Sequence, residues 1–113
     1  MISAEDIGWV AGFLEGEGCF NWAQRRLSVN TTQKDWEPLV RLQEVVGGTL
    51  RQYKNRKQML WRHVVTGPQA AGLMMTVYTL MSARRRDQIK TALQGWQSVP
   101  AWSEKRRGVC TPS

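Results

Sequence analysis

The chain has 113 residues, the size of one small domain, and 42% of them are hydrophobic. That content is enough for a globular core and excludes general disorder, while no apolar run approaches the ~20 residues that cross a bilayer. The formal net charge of +7 and the pI near 10.1 favour a polyanionic partner, nucleic acid first. A basic soluble protein without such a partner has the same charge.

Cysteine usage and the N-terminus indicate the compartment. Cys19 and Cys110 form no spaced cluster, so a zinc site is not predicted. The N-terminus has no basic region ahead of its apolar run, so no secretory signal is predicted. We therefore expect an intracellular protein in a reducing compartment: a bacterial or phage-infected cell, or an organelle matrix.

The first predicted helix runs from about Ala4 to Gly16. Ser3 is its expected N-cap, and Asp6 follows three residues later, as in a capping box with Asp in place of Glu.

Two strands are predicted next, over residues 19–24 and 27–32, joined around Arg25-Arg26. The second strand alternates cleanly, so we expect one packed face and one small, polar and basic face. The inward-facing set is Phe20, Trp22, Leu27, Val29 and Thr31, and the outward-facing set is Cys19, Asn21, Ala23, Arg25, Ser28, Asn30 and Thr32.

The second part of the chain repeats the order of helix and hairpin. An amphipathic helix over residues 35–46, with Asp35 as its cap, should end at Gly47-Gly48. Strands over 49–53 and 59–65 flank a predicted turn over 54–57. The expected inward residues are Leu50, Trp61, His63 and Val65, and the expected outward residues are Arg51, Tyr53 and Arg62.

Two helices follow. The third helix should open at Pro68 and carry an apolar stripe of Leu73, Met74, Val77 and Leu80. Ser82 is the expected cap of a last helix over residues 83–96. Residues 97–113 are rich in Ser, Pro and basic residues and are interpreted as an extended tail, with Trp102 available to dock it.

Residues 9–20 have a pattern that a plain amphipathic helix does not explain. Residues 9–14 are apolar on every side, which is typical of a fully buried helix. Glu15 and Glu17 follow at the helix end, where the helix dipole opposes negative charge, so a hard divalent cation is the expected compensation. The alternative is a core helix with a glycine C-cap and two solvated glutamates.

Residues 10–18 resemble the nine-residue signature of the LAGLIDADG homing endonucleases, and Trp9, Cys19 and Phe20 also fit that family. The resemblance extends over about residues 5–96. It implies an α+β fold of order αββαββα plus a C-terminal helix. In that fold a four-stranded antiparallel sheet forms a DNA-binding saddle, and the helices lie on its other face. We expect one domain over residues 1–96 and a basic tail over 97–113.

The resemblance also implies a function. The family cleaves double-stranded DNA with Mg²⁺ or another divalent cation, and a chain with one signature acts as a homodimer that makes staggered cuts in a roughly palindromic site. Such enzymes belong to mobile elements. One alternative is a non-cleaving module on the same fold, either a maturase-like RNA binder or a DNA-binding regulator. Another is a basic protein whose helices bind another protein.

Three residues match the family's catalytic site. Glu17 matches the metal ligand, with the carbonyl of Gly16 or Gly18 beside it, and Gln33 matches a residue that positions water. Arg85 is the favoured basic residue, with Arg84 and Arg86 as the other candidates. Each has a plain alternative: a surface glutamate, a strand-end glutamine in solvent, and a phosphate-binding or merely solvated arginine.

The remaining predicted roles concern assembly and DNA. The first helix should pack against its copy through Gly8, Ala11, Gly12 and Glu15, with Phe13 as an alternative to Glu15; otherwise the small residues face their own sheet. Glu15 should also make local hydrogen bonds, and His63 should be a core residue. The hairpins are shorter than is usual in the family, which implies a smaller footprint or a weaker sequence preference. The predicted DNA contacts are Asn21, Arg25, Arg26, Ser28, Asn30, Arg51, Tyr53, Lys54, Arg56, Lys57, Arg62, Arg84 and Arg86.

Overall fold

The computed structural model describes residues 3–98. Over that range the elements are α1 (Ala4–Glu17), β1 (Gly18–Ala23), β2 (Arg26–Gln33), α2 (Glu37–Val46), β3 (Thr49–Asn55), β4 (Gln58–Thr66), α3 (Gly67–Val77), a 3₁₀ turn (Tyr78–Leu80) and α4 (Ala83–Gln97). This is the predicted order. Gln97, which was assigned to the tail, closes α4, and Trp102 lies outside the described residues.

The four strands form one antiparallel sheet in the order β1-β2-β4-β3. The register places Phe20 opposite Val29, and Thr31 opposite His63. Side chains of paired residues point to the same face, so the predicted inward set shares one face. Its members on β2 and β4 include the buried Leu27, Val29 and Val65.

The helices cover that packed face. The opposite surface, which we call the open face, has no helix over it among residues 3–98, and this agrees with the expected α+β saddle. The residues on the open face include Cys19, Asn21, Ala23, Arg26, Ser28, Asn30, Thr32, Arg51, Tyr53, Leu60, Arg62 and Val64.

Helix α1 is buried on one side only, which corrects the prediction of burial on every face. Val10, Ala11 and Leu14 are in the core, and Ser3 caps the helix by accepting a hydrogen bond from the Asp6 N–H at 3.0 Å. Gly8, Gly12 and Gly16 follow one another at intervals of four residues, so they share one face of the helix, on the side away from the core. That side therefore stays uncovered within the chain.

Three local expectations were wrong in detail. Helix α2 begins at Glu37 after Trp36, although Asp35 Oδ1 still accepts a hydrogen bond from the Glu37 N–H at 3.2 Å. The second hairpin turns at Arg56-Lys57 alone, since Lys54 and Asn55 pair with β4. Leu80 is 55% exposed because α3 ends at Val77 and the chain tightens into a 3₁₀ turn.

None of the helices within residues 3–98 is both long enough and apolar enough to span a bilayer.

His63 is a core residue, as predicted, and is 1% exposed. Its Nε2 lies 2.6 Å from the carbonyl oxygen of Gly47 at the end of α2, so Nε2 carries the proton in the neutral ring. A Cβ on Gly48 would come within 2.9 Å of the same nitrogen, so glycine is needed for this close approach. Burial lowers the pKa of His63 and outweighs the Gly47 hydrogen bond, which raises it.

Acid should therefore destabilise the fold through His63. The unfolded chain takes up this proton near the ordinary value of 6.5, whereas the folded chain takes it up only at lower pH. As pH falls below about 6.5, the free energy of unfolding should fall, until the pH reaches the folded-state pKa. Above that range the group adds no pH dependence.

Urea denaturation at about pH 7.5 and about pH 5.5 measures this effect. His63→Gln keeps a hydrogen-bond donor but does not titrate, so the variant should lose less stability between the two pH values than the wild type. Equal losses in both proteins would contradict the assignment.

Candidate functional site

The α1–β1 junction places Glu17 at the surface. Glu17 is the last residue of α1, and β1 begins at the next residue, Gly18, whose N–H donates to the carbonyl of Leu14. A Cβ on Gly18 would lie 2.9 Å from both the Leu14 carbonyl oxygen and Leu14 Cδ2. A helix can therefore pass directly into a strand here only with glycine, and Glu17 stays exposed at the point of change.

Gln33 lies beside Glu17, as the sequence predicted. The register of β1 and β2 pairs Gly18 with Thr31, so the end of β2 reaches the junction. Gln33 Nε2 donates a hydrogen bond to Glu17 Oε1 at 2.7 Å. The amide orients the carboxylate and leaves its second oxygen, Oε2, open to a ligand.

Arg85 lies behind the junction and is 7% exposed. Its Nε donates to the carbonyl of Glu15 at 2.9 Å, and its Nη1 donates to the carbonyl of Gly18 at 2.6 Å and to Gln88 Oε1 at 2.9 Å. The guanidinium thus binds the backbone on both sides of Glu17. The Gly18 carbonyl is engaged, which leaves Gly16 as the predicted carbonyl ligand.

Glu15 makes a second link between α1 and α4, the helix that carries Arg85. Its carboxylate accepts hydrogen bonds from the Ser82 N–H and hydroxyl, both at 2.8 Å, and the Ser82 oxygen caps α4 by accepting from the Arg85 N–H at 3.4 Å. The Ser82 N–H contributes most to lowering the pKa of Glu15, followed by the Ser82 hydroxyl and the charges of Arg85 and Arg84. The predicted hydrogen bonds exist, but they reach α4 rather than staying local.

One chain does not contain a complete metal cage. Among residues 3–98, no three His, Cys, Asp or Glu side chains lie together in a way that could hold an ion. The junction offers one carboxylate, one carbonyl and one amide oxygen. Mg²⁺ accepts this set, because it commonly binds one or two carboxylates and takes its other ligands from water and phosphate.

The exposed side of α1 differs from the predicted contact face. Gly8, Gly12 and Gly16 lie on it, and a Cβ at any of them would meet no atom within 4 Å. Ala11 is 4% exposed and belongs to the chain's own core, since it lies about 100° around the helix from Gly12. Glu15 turns towards Ser82. The exposed face therefore contains Gly16 in place of Ala11 and Glu15.

Aromatic residues flank the glycines. The rings of Trp9 and Phe13 stack with centroids 5.2 Å apart. The Arg41 guanidinium covers Trp9 at 4.1 Å from the ring centroid. Phe13, the alternative contact residue, is therefore already half-buried against its neighbours.

The open face carries positive charge without acidic partners. None of the strands β1 to β4 contains an aspartate or a glutamate. Arg51 and Arg62 are directly opposite each other and both are exposed. Like charges in that position repel, and the only contact that offsets the repulsion within residues 3–98 is the Tyr53 ring, 5.0 Å from the Arg62 guanidinium carbon.

Two of the predicted DNA contacts play a different part. Ser28 is 7% exposed, and its Oγ accepts a hydrogen bond from Asn30 Nδ2 at 2.9 Å. Ser28 therefore lies on the open face but has little exposed surface there, and it orients Asn30. Lys54 lies four residues after Leu50 on β3, so it is on the packed side of the sheet and not on the open face. Its side chain is nevertheless exposed near the turn.

The other predicted contacts surround the open face. Asn21 and Arg26 lie on it, and Arg25, Arg56 and Lys57 are exposed at the hairpin turns. Arg84 lines a groove between α4 and β1 together with Asn21 and Gln88. Arg86 is half-buried at the start of α4.

The link between Glu15 and Ser82 should be needed for stability. Glu15→Gln removes the charge that accepts both Ser82 hydrogen bonds, so its melting temperature should fall. Glu44→Gln is the matched control, because Glu44 is exposed on α2 and makes no recorded contact within residues 3–98. Thermal denaturation at neutral pH measures both, and equal melting temperatures for the two variants would contradict a structural role for Glu15.

Comparisons with known proteins bear on the fold. No protein-family model matches the chain. No curated protein matches it either.

Solved structures do match. The homing endonuclease I-CvuI, bound to the I-CreI target in the presence of magnesium with the DNA not cleaved, superposes with a TM-score of 0.63 at 23% identity. I-CvuI bound to its own target with calcium gives 0.64 at 23% identity. In both, the match covers 80% of this chain and 64% of I-CvuI, so the chain spans less than two thirds of that protein.

The archaeal intron-encoded homing endonuclease I-Vdi141I, in complex with DNA, gives a TM-score of 0.61 at 18% identity over 84% of this chain and 73% of that chain. At such identities these similarities establish architecture. The chain therefore has the LAGLIDADG homing endonuclease fold, with the signature-like residues at its α1–β1 junction.

Proposed function

We propose that the chain is a homodimeric, divalent-metal-dependent DNA endonuclease of the homing type, which makes staggered cuts in a roughly palindromic duplex site. The observation that carries the proposal is the exposed carboxylate of Glu17. It stands at the end of a basic sheet face whose strands contain no acid. An isolated acid in that position opposes phosphate binding unless a cation lies between them.

Charge supports a duplex as the partner. The described acids lie on the helices and their connections, while the strands and turns supply Arg25, Arg26, Arg51, Arg56 and Arg62. Arginine pairs with guanine edges in the major groove and with phosphates, and asparagine pairs with adenine. Asn21, Asn30, Tyr53, Lys54, Lys57, Arg84 and Arg86 complete the proposed contacts, with Ser28 acting through Asn30.

The junction suits a divalent cation. Glu17 and the Gly16 carbonyl would hold it, with phosphate and water filling the remaining positions. A metal there supplies a water of lowered pKa and an electrostatic clamp on the phosphate. The exposure of Glu17, and the engagement of its Oε1 alone by Gln33, support this assignment.

The chain's own side chains then have separate tasks. Gln33 holds Glu17 through one N–H, which leaves its carbonyl oxygen and second N–H to orient a water. Arg85 is engaged by three acceptors, so we assign it a positioning role: it fixes the backbone on both sides of Glu17. Arg84, which is exposed, is the nearby cation available to a phosphate.

The glycines of α1 support assembly as a pair. Glycine inside a helix is less stable than alanine by roughly 0.5–1 kcal/mol, and nothing in this chain occupies the space that a Cβ at Gly8, Gly12 or Gly16 would take. Two such faces fit closely around a twofold axis. Because Glu17 follows Gly16 directly, the same contact would bring two junctions together, one for each DNA strand.

A second candidate is a non-cleaving nucleic-acid-binding module. The observation that favours it is the engagement of Arg85, which leaves no free basic group at the position where the family usually has one. Whether the wild type cuts a duplex that it binds separates the two candidates.

Glu17→Gln should abolish cutting and preserve binding. The amide keeps the size of the side chain but removes its negative charge and so binds a divalent cation much more weakly, and single-turnover cleavage with saturating magnesium should fall by at least about a hundredfold. Binding in calcium should persist or tighten, because a negative charge facing the phosphates is gone. The control is Glu44→Gln, which should cut like the wild type.

Each other outcome has a defined meaning. Full cleavage by Glu17→Gln would refute the metal assignment. Loss of both binding and cutting would make the carboxylate structural. A wild type that binds duplexes but cuts none would favour the non-cleaving module.

Gly12→Leu should separate the dimer without harming the monomer. A leucine enters open space in a single chain, so the melting temperature of the monomer should hold, while the close helix contact is lost. Gly72→Leu is the matched control, since Gly72 is an exposed helical glycine on α3 with equally open space. Sedimentation at micromolar concentration with DNA present measures assembly. A monomeric wild type on DNA would contradict the proposed pair.

A further inference from the structure

Both hairpins turn through backbone conformations that side chains disfavour. Gln24 and Arg25 have φ of 53° and 62°, and Arg56 has φ of 58°. These are the non-glycine residues with positive φ among residues 3–98. Each lies at a hairpin tip, and two of the three are arginines.

The first turn is of a kind with a clear sequence preference. It connects Ala23 to Arg26 through two residues, both with positive φ, as type I′ turns require. Asn-Gly is the preferred pair there, because glycine has no Cβ and asparagine tolerates the left-handed region. Gln-Arg is a poor choice for the turn itself.

The chain uses glycine at comparable positions elsewhere. Gly47, Gly48 and Gly67 have φ of 74°, 93° and 64°. At the tips it uses arginine instead. Arg25 and Arg56 are exposed, and their side chains make no hydrogen bond, ion pair or ring contact with another residue from 3 to 98, so no polar interaction of these side chains within that range offsets the strain.

The two tips lie at opposite ends of the open face. The first lies beyond the pairing of Ser28 with Thr66, and the second lies beyond the pairing of Gln33 with Trp61. The separation along the strands is roughly 40 Å at about 3.3 Å per residue. One turn of B-DNA is about 34 Å long, so the tips bracket slightly more than one turn.

We propose that Arg25 and Arg56 are phosphate anchors, one at each end of the open face, and that the strained turns are kept because each guanidinium binds a duplex phosphate. The inference rests on the proposed nucleic-acid role of the sheet, and it does not depend on cleavage. It extends that role by naming where the backbone of the duplex is held.

The test is a set of single variants measured for both melting temperature and duplex affinity. Arg25→Gly and Arg56→Gly remove strain and charge together. Gln24→Asn removes strain at the neighbouring position and leaves every charge in place. Affinity for a fixed duplex is measured over a range of salt concentrations without magnesium, so that no cleavage intervenes.

All three variants should melt at a higher temperature than the wild type, by about 2–6 °C. The two arginine variants should bind roughly five- to tenfold more weakly at about 0.1 M salt, and the slope of log affinity against log salt should be smaller by about 0.9 in each. Gln24→Asn should bind with the affinity and slope of the wild type.

Three results would overturn the inference or its basis. Wild-type affinity and slope in Arg25→Gly and Arg56→Gly would remove the phosphate anchors. A lower melting temperature in the arginine variants, with a higher one in Gln24→Asn, would show that the arginines stabilise the fold and are not retained for DNA. A wild type that binds no duplex at any salt concentration would refute the proposed function itself.

Discussion

The buried guanidinium of Arg85 is the contact on which the geometry of the α1–β1 junction depends. It donates hydrogen bonds to the carbonyls of Glu15 and Gly18, on both sides of Glu17. The Glu15 carboxylate on α1 in turn accepts two hydrogen bonds from Ser82, the N-cap of α4. Charge-assisted hydrogen bonds of this kind are stronger than neutral ones. The end of α1 and the start of α4 are therefore fixed to each other. The Glu17 carboxylate is held in one position, although it lies at a helix terminus where negative charge is unfavourable.

Charge is divided between the two sides of the molecule. The described acids lie on the helices and on the β2–α2 connection, and the helices, which also carry basic residues, cover the packed face. The strands hold only basic and neutral residues. Glu17 lies where the two sides meet. A surface built in this way favours a polyanion along the sheet and presents a single acid at its end, as the proposed dimeric nuclease requires.

The sequence predicted the element order and the inward faces, because alternation and capping residues are local signals. The family resemblance placed Gln33 near Glu17, but the hydrogen bond between them was not predicted. The predicted contact face grouped Ala11 with Gly8 and Gly12, whereas Ala11 is buried in the chain's own core; an all-apolar segment has no periodicity from which to choose a face. The sequence did not reveal that Arg85 is buried or that Glu15 reaches Ser82, because those contacts join residues about seventy positions apart. The strain at the hairpin tips was not predicted either, because it depends on backbone angles that the sequence does not reveal.

We propose above all that the open face binds duplex DNA and that the junction cuts it. The most direct test is to incubate the purified chain with a randomised duplex library and magnesium, then sequence the cut and the bound fractions. The account predicts a cut fraction enriched in a roughly palindromic site with staggered ends, and a bound fraction enriched in the same site. A library from which nothing is retained and nothing is cut would contradict it.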